Sequence, residues 1–189
     1  MTARFPFVLF AALLAVAAPP PASATQVMRL DTEALTGGSN DIVVGRVEGT
    51  RSYWNPARTK ILTDVTVAVD QTVKGSGAPR LVLTQLGGEV DGVRTTVEGG
   101  PLFAPGEEVL LFVWRDARGR AQVNGLSQGK FEIARDPATG ARTVQRSLPG
   151  LVVRDARTLS AVPQGEPAPR ITLEAMLGEI QNALQEGGR

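Results

Sequence analysis

The chain has 189 residues with 20 Lys and Arg against 19 Asp and Glu, and it holds neither His nor Cys. Basic and acidic residues alternate without a run, so the clustered cationic surface that displaces counterions from nucleic acid is missing, and a nucleic-acid partner is not expected. Without Cys there are no disulfides and no thiolate metal ligands, and without His there is no Ser-His-Asp system and no imidazole base.

Arg4 precedes an apolar run from Phe5 to Ala18, followed by Pro19, Pro20 and Pro21 and by Ala22-Ser23-Ala24. These are the charged, apolar and small-residue regions of a secretory signal, which predicts cleavage between Ala24 and Thr25. The run is 14 residues long and contains Pro6, short of the roughly 20 residues a spanning helix needs. No membrane span is expected in the mature chain. Residues 1–24 carry one basic side chain and no acidic one, so the mature chain is formally neutral. The expected localisation is export to the periplasm or medium.

A short helix is predicted between Leu30 and Gly38, with Asp31 as N-cap and Gly37-Gly38 as its stop. Ile42 to Val47 reads as a first strand, with Gly45 at a bulge or close approach. Tyr53 and Trp54 then fall on a connecting segment beside Asn55 and Pro56. There they either present aromatic surface to a sugar ring or protein groove, or pack over a barrel mouth or the N-terminal helix.

Between Lys60 and Val73 the residues Ile61, Thr63, Val65, Val67, Val69 and Val73 share one face, and Asp64, Thr66, Asp70 and Thr72 the other. A strand on the order of 40 Å long cannot stay flat, and it is expected to bend and serve two sheets of a barrel. Arg80 to Leu86 is the next strand, broken by Gly87-Gly88, and Gly92 to Val97 reads as a polar edge strand. Pro105-Gly106 predicts a type II turn. Val109 to Trp114 is apolar without alternation, so both faces are expected to be covered, with Trp114 in the core.

Asp116 to Gly119 forms a hairpin loop, and strands follow at 121–126, 130–134 and 142–146. In Gly125 to Phe131 a lone Lys130 lies between Gly129 and Phe131. It is either an anion contact or part of a tight connection that leaves Lys130 in water and Phe131 inside. Residues 148–170 read as a linker rich in Pro and Gly. From Thr172, the apolar positions Leu173, Met176, Leu177, Ile180 and Leu184 form one stripe of a helix that docks on its own barrel or on a partner.

The expected organisation is a signal peptide (1–24), a β-barrel domain (25–147), the linker (148–170) and a C-terminal amphipathic helix (171–189). The fold class is mostly β, a small antiparallel barrel with a short N-terminal helix.

The helix before Asp41 to Val47, the strand Thr63 to Val67 ending in Lys74-Gly75, the Gly87-Gly88 loop, Phe103 to Glu107 with Val109 to Phe112, and Gly129-Lys130-Phe131 together resemble a family of bacterial exported proteins of unknown function. The resemblance covers about residues 30 to 147. Its barrel is similar to the OB-like fold of tissue inhibitors of metalloproteases and netrin modules. Those inhibitors chelate the protease zinc with an N-terminal Cys. Here the expected mature N-terminus is Thr25-Gln26, so the inhibitory residues do not carry over.

The function expected from these observations is a non-enzymatic extracytoplasmic binding or accessory module, with an extracytoplasmic protein among the possible partners. No catalytic residue, metal or cofactor is assigned. The candidate contact residues are Tyr53, Trp54, Glu89, Asp91, Arg94 and Lys130. Two alternatives stand beside this reading. One is a metalloprotease inhibitor; the other is a small hydrolase using carboxylates among Glu89, Asp91, Glu98, Glu107 and Glu108.

Overall fold

A computed structural model describes residues 25–155, 157–161 and 171–188. The expected signal, residues 1–24, and most of the Pro-rich part of the expected linker, 162–170, lie outside them. In chain order the elements are β1 (Thr25–Met28), α1 (Thr32–Gly37), β2 (Asp41–Trp54), β3 (Ile61–Lys74), β4 (Arg80–Leu86), β5 (Gly88–Val90), β6 (Val93–Thr95) and β7 (Glu108–Arg115). They continue as β8 (Ala121–Val123), a 3-10 turn (Leu126–Gly129), β9 (Lys130–Arg135), β10 (Arg142–Gln145), β11 (Leu151–Arg154), β12 (Ile171–Thr172) and α2 (Leu173–Gly187).

Five strands close a barrel in the order β2, β3, β4, β8, β7 and back to β2. Every pairing in the ring is antiparallel except β4 with β8, which is parallel. This is an OB-like arrangement. The closure depends on β3 being long enough to pair with β2 along its whole length and with β4 through Leu62 to Ala68. Register shifts after Ile42, Val44 and Val47 bend the β2–β3 ribbon around the axis.

Alternation divides the apolar residues between two cores. Val43, Val65, Val67, Leu83, Val109, Leu111 and Val113 point into the barrel. Their sequence neighbours Ile42, Val44, Leu110 and Phe112 point outward, into a second core shared with Leu35 of α1 and with Leu173, Met176 and Ile180 of α2. That second layer explains why β7 is apolar on both faces. Asp31 Oδ1 accepts from Ala34 N (2.8 Å), and Thr172 Oγ1 accepts from Ala175 N (3.1 Å), capping the two helices. Thr32 Oγ1 donates to Glu179 Oε2 across the helix pair (3.1 Å). The C-terminal helix therefore docks on its own barrel.

Four features depart from the sequence expectations. First, β2 does not stop at Val47: Glu48 is absorbed at a register shift and pairing resumes through Trp54 opposite Ile61, so Tyr53 and Trp54 are strand residues. Second, Trp114 is 37% exposed. It follows Leu110 and Phe112 on the outward face, at a position the helical layer does not cover. Third, Leu151–Arg154, inside the stretch read as a linker, pairs in parallel with β1 and buries Leu151 and Val153. Fourth, Lys130 is buried and not in water, because it shares the inward face opposite Leu111.

Among the described residues no helix is long and apolar enough to cross a membrane.

Candidate functional site

The inward positions of three barrel strands change character toward one end. On β3, Val67 and Val65 are followed by Thr63; on β4, Leu81 and Leu83 are followed by Gln85; on β2, Val47 gives way to Thr50 and Ser52, opposite Val65 and Thr63. Hydroxyl and amide groups thus replace branched aliphatics, and the packed interior becomes a polar-floored mouth. The space there is a cleft of about 430 Å³. Ser52 Oγ and Thr63 Oγ1 lie 2.9 Å apart, and Thr63 donates onward to Gly87 O at 2.7 Å.

The backbone of Gly88 passes over this pair. A Cβ at Gly88 would sit 2.3 Å from Thr63 Oγ1 and 2.4 Å from Ser52 Oγ, and its φ is +123°, so only glycine fits. The Gly87-Gly88 break thereby directs the β5–β6 hairpin across the mouth. Arg94 on that hairpin holds Glu89 Oε2 through Nη2 (2.6 Å) and Nε (2.9 Å). The rim also carries apolar side chains, with Leu102 70% exposed and Leu86 51% exposed, near Phe103, Pro101 and Val97. The type II turn behind this rim forms as expected: Glu107 N donates to Ala104 O (3.1 Å), and Gly106 has φ +85°.

The cleft exists because β4 and β8 pair at one position only, Leu83 with Ala121. Beyond it the strands part, and Gln85 on one side and Val123 on the other line the opening. The Gln85 Oε1 atom is buried there with no hydrogen-bond partner among the described residues.

The expected contact residues fall into three groups. Glu89 and Arg94 line the cleft. Trp54 and Asp91 meet instead at a separate cluster, bridged by Arg58, whose guanidinium lies 5.9 Å from the Trp54 ring centroid and 3.9 Å from Asp91 Oδ2. Tyr53 lies on the outer face of the same hairpin. Its hydroxyl donates to Asp64 Oδ1 (3.1 Å), which also accepts from Thr84 Oγ1 (2.8 Å). Partial burial, reinforced by that carboxylate, raises the Tyr53 phenol above its ordinary value. Lys130, the third group, lies behind the cleft wall: Nζ is 2.5 Å from Glu107 Oε1, 3.4 Å from Glu132 Oε1 and 5.1 Å from the Phe103 ring centroid.

Four of the five carboxylates considered for hydrolysis, Glu89, Asp91, Glu107 and Glu108, lie against cations. Glu89 is held by Arg94, Glu107 by Lys130, and Glu108 by Arg46 and Arg142. Among the described residues no three acidic side chains converge as a metal set.

Sequence reasoning missed Ser52, Gln85, Leu102 and Phe103 as cleft residues. The available signal was the loss of aliphatic side chains at successive inward positions of neighbouring strands. Reading it required the β2–β3 and β3–β4 registers, which depend on the shift at Glu48.

No protein-family model matches the chain, and no curated protein matches it.

Proposed function

We propose that the protein is a non-enzymatic module that works outside the cytoplasm by holding a ligand or partner in the cleft at the barrel mouth. The observation that carries this reading is the cleft itself: a polar floor, an apolar rim and a buried acceptor without a hydrogen-bond partner among the described residues. Concave sites that combine apolar walls with a few placed polar groups are the usual form of a ligand site. The missing His and Cys, and the commitment of the nearby carboxylates to Arg and Lys, support contact rather than catalysis. Residues 1–24 support export.

Native mass spectrometry of protein recovered from the extracytoplasmic fraction tests the proposal. The expected species begins at Thr25 and carries a bound mass that Leu102→Ser diminishes. A chain retaining Met1 would refute export, and a bound mass indifferent to Leu102→Ser would refute the cleft.

A further inference from the structure

We infer that the cleft takes an extended, uncharged peptide segment of a partner protein, laid as an added strand along the free edge of β4; this inference rests on the proposal that the cleft is the binding site. The seam between β4 and β8 is a single register pair, Leu83 with Ala121. Thr84, Gln85 and Leu86 are laddered to Asp64, Thr63 and Leu62 of β3 on one side. On the other side the cleft replaces a neighbouring strand. An open edge of this kind is the template for strand addition, in which main-chain hydrogen bonds supply affinity and pockets for alternate side chains supply selectivity.

The side-chain chemistry agrees with a peptide. Gln85 Oε1 is an acceptor buried at the seam without a donor among the described residues, and a peptide offers an N–H at every residue other than proline. The alternation of a strand would turn one set of side chains inward, toward Ser52, Thr63 and Phe103, and the next outward, to the side of β4 that carries Leu86. Glu89 and Arg94 neutralise each other on the hairpin wall, so no unbalanced charge there calls for a charged ligand. The volume, about 430 Å³, lies within the range of ligand pockets and admits a few residues.

The test uses the full mature chain, isotopically labelled, with three probes. They are acetyl-Thr-Val-Thr-Val-Thr-amide, the same peptide N-methylated at both valines, and the neutral apolar dye N-phenyl-1-naphthylamine. The inference expects the first peptide to move the amide resonances of Gln85, Leu86 and Val97. N-methylation should weaken binding by at least about tenfold, since the donors are lost. Leu102→Ser, at an exposed lip position, should weaken binding by at least about fivefold with an unchanged thermal midpoint. Equal binding of the two peptides, or binding of the dye alone, overturns the peptide inference and leaves the cleft reading standing. Failure of all three probes to move these resonances overturns both. Movement of the same resonances with protein concentration alone would assign the edge to a second copy of the chain and overturn the inference.

Discussion

Lys130 Nζ lies 2.5 Å from Glu107 Oε1 with side chains only 7% and 17% exposed, directly behind the Phe103 ring that walls the cleft. This pair therefore sets the position of a cleft wall without itself facing a ligand. Removing one member of a buried pair strands the other charge, so Lys130→Ala should cost about 3 kcal/mol in urea unfolding. The double variant Lys130→Met with Glu107→Gln keeps the volume and removes both charges. It should recover to within about 1 kcal/mol of the parent. Equal stability of Lys130→Ala and the parent would contradict the buried-pair assignment.

Tyr53 is the only tyrosine, so absorbance at the phenolate band reports its ionisation alone. Burial and the Asp64 carboxylate both favour the neutral phenol, and its titration should fall above that of a free tyrosine. The phenol pKa is raised on folding, so the stability this provides is complete below the unfolded value of about 10 and is lost as pH rises through the folded one. Asp64→Asn should move the titration back toward the ordinary value. An unchanged midpoint would show that the hydroxyl does not face Asp64 in solution.

Gly88→Ala should destabilise the chain by about 2 to 3 kcal/mol, because alanine pays for the positive φ as well as for the Ser52 and Thr63 hydroxyls it would strike. Gly92→Ala, with a positive φ but open space around it, should cost less. Chemical denaturation of the two variants side by side separates contact from backbone strain. Equal losses would mean that the crowding at Gly88 is relieved by a shift of the hairpin.

Several carboxylates are held below their ordinary range. For Asp155 the N–H groups of Thr158 and Arg157 are the chief cause, and for Glu48 the hydrogen bond from Arg80. A carboxylate that gives up its proton more readily when folded stabilises the fold fully above the unfolded value, about 4, and loses that contribution as pH falls through the lower folded value. The thermal midpoint should therefore hold steady from about pH 7 to 5 and decline below about pH 4. A midpoint that rises in acid would contradict these assignments.

The barrel was legible because its strands obey a period of two over long stretches. Val65 and Val67 face inward as their alternation demands, and β7 is covered on both sides as its unbroken apolar run demands. The site was less legible for two physical reasons. Glu48 is accommodated by a register shift that no propensity marks, and this shift decides that Thr50 and Ser52 oppose Val65 and Thr63. Lys130 looked solvated because a lone lysine beside glycine ordinarily is; its burial depends on Glu107, 23 positions earlier, arriving at the same face. Glu89 and Arg94 stood in the sequence only as separate contact candidates around the Gly87-Gly88 break; their pairing and their place on the cleft follow from the β5–β6 hairpin, which a single edge strand at 92–97 did not anticipate.

The proposed function assigns the working contact to the cleft rather than to another surface. Site-specific photocrosslinking in the producing cells separates these surfaces, with p-benzoylphenylalanine substituted for Leu102 on the cleft lip or, as a control, for the exposed Trp114 on the outer face of β7. A contact made in the cleft gives a discrete added mass on the protein from position 102 and none from position 114. Equal labelling at both positions, or none at 102, would contradict it.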